Sequence, residues 1–116
     1  VPTLLEAAGV EAPDFCQGRS FLPLLLGTEY ARRASVFNEY RFPLGMSWKV
    51  VRNYKYKLCA LKDGTELLYD LEADPHELDD VSGDPRYGEP LNDMRRELLR
   101  RWFQTESQYP KQTGPY

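Results

Sequence analysis

The chain has 116 residues, the length of a single domain with one hydrophobic core. Hydrophobic residues make up 41% and charged residues 28%, values near the globular average that argue against global disorder. The formal net charge is −3, and no basic block is flanked by stacking aromatic residues, so nucleic acid is not a predicted partner. No stretch approaches the roughly 18 apolar residues of a membrane span, so no membrane partner is predicted either.

Residues 1–33 predict a short helix followed by a linker. Residues 3–8 are strong helix formers, with Pro2 in the first turn and Gly9 at the stop position. The prolines and glycines of residues 10–33 permit only a turn or a single helical turn around a leucine-rich cluster. A start inside an apolar helical pattern and without Met predicts that the polypeptide continues upstream. We expect the leucines to pack on that missing part or to drive self-association.

Four strands are predicted next, at residues 35–40, 47–52, 54–59 and 66–71, forming a largely antiparallel meander. Pro43 and Gly45 indicate a loop between the first two strands. Asn53 is expected to make the following turn because it tolerates a positive φ, and residues 62–65 the last one. Alternation in the third strand predicts Tyr54, Tyr56 and Leu58 on an apolar face, with Lys55 and Lys57 pointing outward on a wet face.

The C-terminal third predicts two helical elements. Asp74 and Glu77 form a capping-box pattern around Pro75, which predicts one short helical turn over residues 75–78, and Asp84 before Pro85 repeats it less fully. A final amphipathic helix should cover the sheet with an apolar stripe, and Glu97 should pair with Arg101 at i,i+4. The stripe consists of Leu91, Met94, Leu98, Leu99, Trp102 and Phe103. From about residue 107 a loose tail is expected.

The chain offers no assembled reaction centre. His76 is the only histidine, so neither a histidine-based triad nor a multi-histidine metal site can form within it. The acidic cluster around Asp74 lacks the loop pattern of a calcium site and is interpreted as a solvated turn. Cys16 and Cys59 have no metal-type spacing and could be bridged or free. We therefore predict no catalytic residue, no metal and no cofactor in this chain.

Three residues are candidates for substrate binding: Glu39, Arg41 and Trp48. The sequence Glu39-Tyr40-Arg41-Phe42 ends a strand and leads into a loop, a place where a rigid sheet often positions ligand-binding groups. Arg suits sulfate or carboxylate because its guanidinium forms forked hydrogen bonds. The alternative is that Tyr40 and Trp48 pack in the core while Glu39 and Arg41 form an ordinary ion pair.

The order of four segments resembles the C-terminal part of the sulfatase family, within the alkaline-phosphatase superfamily. The segments are residues 1–10, 17–25, 48–58 and 66–78, the last ending in Asp-Leu-Glu-Ala-Asp-Pro-His-Glu-Leu. The resemblance implies an α+β fold, with about four antiparallel strands packed against the final helix. It assigns residues 1–33 to a remnant of the large α/β domain and residues 34–116 to a C-terminal subdomain that docks on that domain.

The resemblance also implies a reaction that this chain cannot perform alone. The family hydrolyses sulfate esters or sulfamates with a formylglycine, made from the Cys or Ser of a C/S-x-P-x-R motif, beside a calcium ion. Neither Cys16 nor Cys59 has that context, and the family's calcium ligands lie upstream of residue 1, in the missing N-terminal domain. The family is commonly secreted, periplasmic or lysosomal.

The expected function is therefore that of the C-terminal part of a sulfatase, which stabilises the large domain and helps to wall the substrate cleft. Two alternatives remain open at this point. The chain could be an independent glycan- or protein-binding module, or it could belong to a related phosphatase or phosphonate hydrolase that shares the large domain.

Overall fold

The computed structural model describes residues 1–41 and 47–106. The loop predicted at Pro43 and Gly45 and the tail predicted from about residue 107 lie outside these residues. The chain divides into two compact units, one of Arg33–Gln104 and one of Val1–Arg32 with Thr105–Tyr116. The first of these carries the sheet and nearly all of the final helix.

The N-terminal unit contains two short helices, α1 (Pro2–Ala7) and α2 (Leu22–Leu25). Gly9 ends the α1 region with a φ of +69°, as expected for a helix-stopping glycine. The Thr3 hydroxyl accepts a 3.2 Å hydrogen bond from the Phe21 amide, which ties the two helical segments together. The predicted short helix and the predicted single helical turn are thus both present, and leucines such as Leu4 and Leu25 remain exposed.

The larger unit is built on a four-stranded antiparallel sheet in the order β1-β2-β3-β4. Its strands are β1 (Val36–Arg41), β2 (Ser47–Arg52), β3 (Tyr56–Leu61) and β4 (Glu66–Asp70). Every neighbouring pair is antiparallel, and the central register places Val51 opposite Leu58 and Leu58 opposite Leu68. The predicted meander is confirmed.

Helix α3 (Gly88–Thr105) covers one face of the sheet. The core consists of three side chains from the strands and three from the helix, namely Val51, Leu58, Leu68, Leu91, Met94 and Leu98. Val51, Leu58 and Leu68 have no exposed surface, so the sheet-helix contact is the hydrophobic centre of this unit. The predicted α+β architecture, a sheet packed against one C-terminal helix, is confirmed.

The predicted apolar stripe of α3 is narrower than its sequence pattern. Leu99 is 48% exposed and Phe103 is 71% exposed, so placing them against the sheet was wrong. Each follows a stripe residue by one position, which rotates it about 100° around the helix and away from the sheet. Trp102 is 39% exposed and lies at the border of the covered face.

Glu97 of α3 pairs with Arg100, one turn away at i,i+3, rather than forming the predicted i,i+4 ion pair with Arg101. The Arg100 guanidinium donates from both Nε and Nη2 to the two carboxylate oxygens of Glu97. The buried Ser35 hydroxyl also donates to Glu97, which links the residue before β1 to the helix. These hydrogen bonds, with that from Arg100 the strongest, hold the Glu97 pKa below its usual range although partial burial opposes them.

Asn53 makes the β2–β3 turn, but not through a positive φ. Glu77 is the only non-glycine residue with a positive φ in the described part of the chain. Instead the Asn53 side-chain oxygen accepts hydrogen bonds from the amides of Lys55 (2.8 Å) and Tyr56 (2.6 Å). An Asx-type turn therefore replaces the left-handed turn. In the β3–β4 connection Gly64 has a φ of +92°, so the predicted turn at residues 62–65 is confirmed.

The first Asp-Pro segment does not form the predicted helical turn over residues 75–78. Asp74 does cap the segment, since its carboxylate accepts from the amides of His76, Leu78 and Asp79. Glu77, however, has a φ of +57° and turns its carboxylate to Lys57, so the capping box is absent. The second Asp-Pro segment forms the helix instead, a 3₁₀ turn at Pro85–Tyr87.

The sheet face away from α3 is less wet than predicted. Lys57 lies there as expected, yet the strand alternation also puts Val50, Cys59, Leu61 and Leu67 on it, all partly buried. Tyr54 belongs to neither face, because it precedes β3 and is 70% exposed. Both faces of the sheet thus carry apolar side chains.

Candidate functional site

A cleft of about 780 Å³ lies at one end of the sheet, where β1 ends, β2 begins and β3 ends. Antiparallel pairing brings these three strand ends side by side. The lining residues include all three predicted substrate-binding candidates. Among the described residues, the lining consists of Glu39, Tyr40, Arg41, Ser47, Trp48, Lys49, Ala60, Leu61, Lys62 and Trp102. The fold thus brings together Glu39, Arg41 and Trp48 at one open cleft.

Glu39 is paired, but not with Arg41. Its carboxylate accepts a 2.8 Å hydrogen bond from the Lys49 ammonium. The register places Glu39 directly opposite Lys49, within about 5 Å at Cβ, whereas Arg41 lies two residues further along the same strand, about 7 Å away. The Lys49 ammonium also lies 4.6 Å from the centre of the Trp102 ring. The Lys49 ammonium is thus held by an ion pair and by an aromatic ring of the protein. The predicted Glu39–Arg41 ion pair is wrong.

Trp48 stacks on Tyr40, with ring centres 5.4 Å apart and an interplanar angle of 21°. The two residues are register partners, so they share the face of the sheet opposite Glu39 and Arg41. Tyr40 is 43% exposed, and among the described residues neither ring belongs to the core formed by the sheet and α3. The three candidates therefore line one cleft from two faces of the sheet, at the end where both faces open to solvent.

Arg41 is exposed at the last position of β1, with Ser47 opposite it. Lys62 lies on the other side of Ser47, since the Lys62 amide donates a 2.9 Å hydrogen bond to the Ser47 carbonyl. Within the part of the chain that the structure describes, no ion pair engages the side chain of Arg41 or Lys62. A serine at the end of the sheet is therefore flanked by two cations that form no ion pair with any described residue.

Sequence reasoning missed four polar or aromatic members of this site: Ser47, Lys49, Lys62 and Trp102. Ser47 and Lys49 flank the predicted Trp48, so a register between the first two predicted strands would have placed them opposite Arg41 and Glu39. Lys62 belongs to a predicted turn and Trp102 to a predicted core stripe, and neither pattern points to a cleft. Only the three-dimensional arrangement brings these two residues to it.

The thiols, the histidine and the acids of the described residues are not grouped as a metal cage. Cys16 and Cys59 are both free thiols, and burial raises the pKa of Cys59, which keeps it protonated. His76 is exposed in the turn capped by Asp74. In residues 1–41 and 47–106, no three His, Cys, Asp or Glu side chains are placed to hold a metal ion. These residues do not fit a calcium site.

No helix in the described ranges is long and apolar enough to cross a membrane.

Comparison with known proteins identifies the chain. Residues 1–104 match the family model described as N-sulphoglucosamine sulphohydrolase, C-terminal. The chain belongs to this sulfatase C-terminal family. The match covers α1, the whole sheet and all of α3 except its last residue, so the four-stranded sheet with its helix is the family's C-terminal subdomain.

Individual relatives agree with the family. The chain is 30% identical over 117 residues to an N-acetylglucosamine-6-O-sulfatase of Bacteroides thetaiotaomicron, a match that covers 93% of this chain and 20% of that protein. It is also 30% identical over 115 residues to PehA of Trinickia caryophylli, a multifunctional protein of the alkaline phosphatase superfamily, with coverage of 85% and 22%. The solved structure of a 2-O GAG sulfatase matches with a TM-score of 0.83 and 27% identity, covering 93% of this chain and 24% of that one. The chain spans about a fifth of the length of the curated relatives.

Proposed function

We propose that this chain acts as the C-terminal part of an enzyme that hydrolyses sulfate esters or sulfamates, and that its cleft forms one wall of the substrate site. In this proposal residues 1–33 belong with the large domain of that enzyme and residues 34–116 form the subdomain. The observation that carries the proposal is the convergence of Arg41, Trp48 and Glu39 on one solvent-open cleft.

The chemistry of the cleft suits the remote part of a sulfated substrate. Arg41 offers a planar guanidinium that can bind sulfate or carboxylate through two parallel hydrogen bonds. The stacked rings of Tyr40 and Trp48 offer an apolar surface with polar edges, suited to the face of a sugar ring. Glu39 acts indirectly in this scheme, because it fixes the position of Lys49. Such contacts would supply binding energy at a distance from the bond that is cleaved.

Bond cleavage itself belongs to the rest of the enzyme. Sulfate-ester hydrolysis needs a positioned nucleophile and cations that stabilise charge on the transferring group. Neither cysteine lies in the C/S-x-P-x-R context from which a formylglycine could form. We propose that the formylglycine and its calcium ion lie in the large domain, and that the isolated chain turns over no substrate.

The large domain is also the proposed partner of the apolar surfaces. Leu4 is 76% exposed and Leu26 is 68% exposed in the N-terminal unit, while Val50 and Leu67 lie on the sheet face away from α3. Burial of these side chains against a neighbouring domain would be favourable at about 25 cal/mol per Å² of apolar area. Self-association of the isolated chain through the same leucines stays a prediction.

The test replaces Arg41 with Ala in a sulfatase that carries this chain as its C-terminal part. We expect kcat/KM for its sulfated substrate to fall about tenfold, which corresponds to the loss of one charge-assisted hydrogen bond. Arg52→Ala is the matched control, because Arg52 is an exposed arginine at the opposite end of β2 and does not line the cleft. Unchanged kinetics for Arg41→Ala would refute a substrate role for the cleft.

A second candidate follows from the likeness to PehA, a multifunctional protein of the alkaline phosphatase superfamily. The parent enzyme would then hydrolyse a phosphate or phosphonate ester. Assays of that enzyme with matched sulfate, phosphate and phosphonate monoesters separate the two candidates, because the preferred ester is the one with the highest kcat/KM.

A further inference from the structure

We infer that Arg41, Ser47 and Lys62 form an anion-binding subsite that recognises a sulfate or carboxylate group on a sugar, separate from the group that the enzyme removes. This inference rests on the proposed function and makes it more specific. Its ligand class is a glycan carrying at least two anionic groups, rather than a small aryl or alkyl sulfate.

The three residues lie side by side across the sheet. Arg41 is the register partner of Ser47, and the Lys62 amide bonds the Ser47 carbonyl, which continues the β2–β3 pairing by one residue. Residues opposite each other in neighbouring strands point to the same face. The three residues therefore form a row of cation, hydroxyl and cation, about 10 Å wide over two strand spacings. The long side chains of Arg41 and Lys62 can both reach an anion above Ser47.

The neighbouring row on the same face, two residues further into the sheet, differs in charge pairing. In that row Glu39 neutralises Lys49, and Trp102 covers its ammonium. Arg41 and Lys62 have no such partners in the described part of the chain, and both are exposed. The formal net charge of the chain is −3, yet the charged residues among the described part of the lining are three cations and one carboxylate, and that carboxylate is paired. Positive potential is thus concentrated at the cleft.

An aromatic pair lies at the same end of the sheet as the row, on the opposite face. Tyr40 precedes Arg41 and Trp48 follows Ser47, and their rings stack in the same cleft. A glycan that binds across this end of the sheet would place one sugar ring on Tyr40 or Trp48 and an anionic substituent of another ring at Arg41, Ser47 and Lys62 on the other face. An isolated inorganic anion would use only the row, whereas a sulfated sugar would use both parts.

The experiment titrates the 116-residue chain with a monosulfated disaccharide and with the same disaccharide without sulfate, at constant ionic strength. Binding is followed by amide chemical shifts in ¹H–¹⁵N correlation spectra. We expect the sulfated disaccharide to bind about tenfold more tightly, since charge-assisted hydrogen bonds are the stronger class. The largest amide shifts should occur at Ser47 and Lys62.

The variants define which groups recognise sulfate. Arg41→Met and Lys62→Met should each remove most of the preference for the sulfated disaccharide, while Lys62→Arg should retain it. Trp48→Ala should weaken binding of both disaccharides without removing the preference. Arg52→Met is the charge-matched control and should behave as the unmodified chain does. Thermal melts of every variant show whether the fold is intact.

Two results would overturn the inference. One is equal binding of the two disaccharides by the unmodified chain, and the other is an equal loss in Arg41→Met and Arg52→Met, which would indicate general electrostatic attraction. A different measurement would refute the proposed function, namely an unchanged kcat/KM in the longer enzyme that carries Arg41→Ala. The two failures are therefore distinguishable.

Discussion

Leu98 and Leu99 are adjacent on α3 but differ in burial. Leu98 is 8% exposed and packs in the core, whereas Leu99 is 48% exposed. Replacing each with Ala removes the same three carbons and changes the helix propensity equally. Any difference in the free energy of unfolding between the two variants therefore reports burial alone.

The magnitudes follow from that burial. Each buried methylene contributes about 0.8 kcal/mol, so three nearly buried carbons at Leu98 contribute about 2.4 kcal/mol, and the cavity left behind raises the loss to about 3 kcal/mol. Leu99 is about half exposed, so its three carbons contribute about half as much burial free energy, and their removal leaves no enclosed cavity. The free energy of unfolding should therefore fall by about 1 kcal/mol for Leu99→Ala. We expect Leu98→Ala to be the more destabilised variant by about 2 kcal/mol.

Urea denaturation followed by far-ultraviolet circular dichroism measures the difference. With an m-value of about 2 kcal/mol per M, the midpoint should fall by about 1.5 M for Leu98→Ala and by about 0.5 M for Leu99→Ala. Equal losses, or a larger loss for Leu99→Ala, would mean that α3 presents a different side to the sheet. Leu99 would then belong to the face of α3 that packs on the sheet, contrary to its exposure in the structure.

Two further predictions concern the turn at Asn53 and the carboxylate of Glu97. Asn53→Ala should destabilise the protein by about 1–2 kcal/mol in urea denaturation, because it removes the acceptor of two backbone amides, while Asn53→Asp keeps that acceptor and should lose less. The folded-state pKa of Glu97 is depressed, so its stabilising contribution is fully present above the ordinary Glu pKa of about 4.3 and is lost as the pH falls through the lower folded value. Glu97→Gln should therefore lower the urea midpoint at neutral pH. Below about pH 4.3 the urea midpoint of the variant should decline less steeply with falling pH than that of the unmodified chain. Equal declines in the two proteins would contradict a depressed pKa of Glu97 in the folded state.

The sheet was predictable because its signals are local. Alternation in β3 and the glycine turn at Gly64 place side chains and chain reversals without any knowledge of distant residues. The same reasoning failed at Glu77, where a long-range partner decides the conformation. The capping pattern predicted a helical turn, but the ion pair with Lys57, 20 residues away, accompanies a left-handed backbone that ends any helix.

The sequence could predict which residue types line the candidate site, but not which of its charged side chains form an ion pair. The sequence indicated Arg41 and Trp48 through their position at a strand end, and both line the cleft. It could not show that Glu39 bonds Lys49 rather than Arg41, since that choice depends on the register between two strands. Lys62 was missed because a lysine in a turn is ordinarily solvated, and only its position beside Ser47 distinguishes it.

The order of the strands has a consequence for how the protein reaches its native state. Each strand pairs with its neighbour in the chain, so every hairpin closes over a short loop at a small entropic cost. Folds dominated by such local contacts cross lower folding barriers than folds with distant pairings. Among the hydrogen bonds of the described residues in the larger unit, the one with the greatest sequence separation joins Ser35 to Glu97, 62 residues apart. We therefore expect the docking of α3, rather than strand pairing, to limit the folding rate.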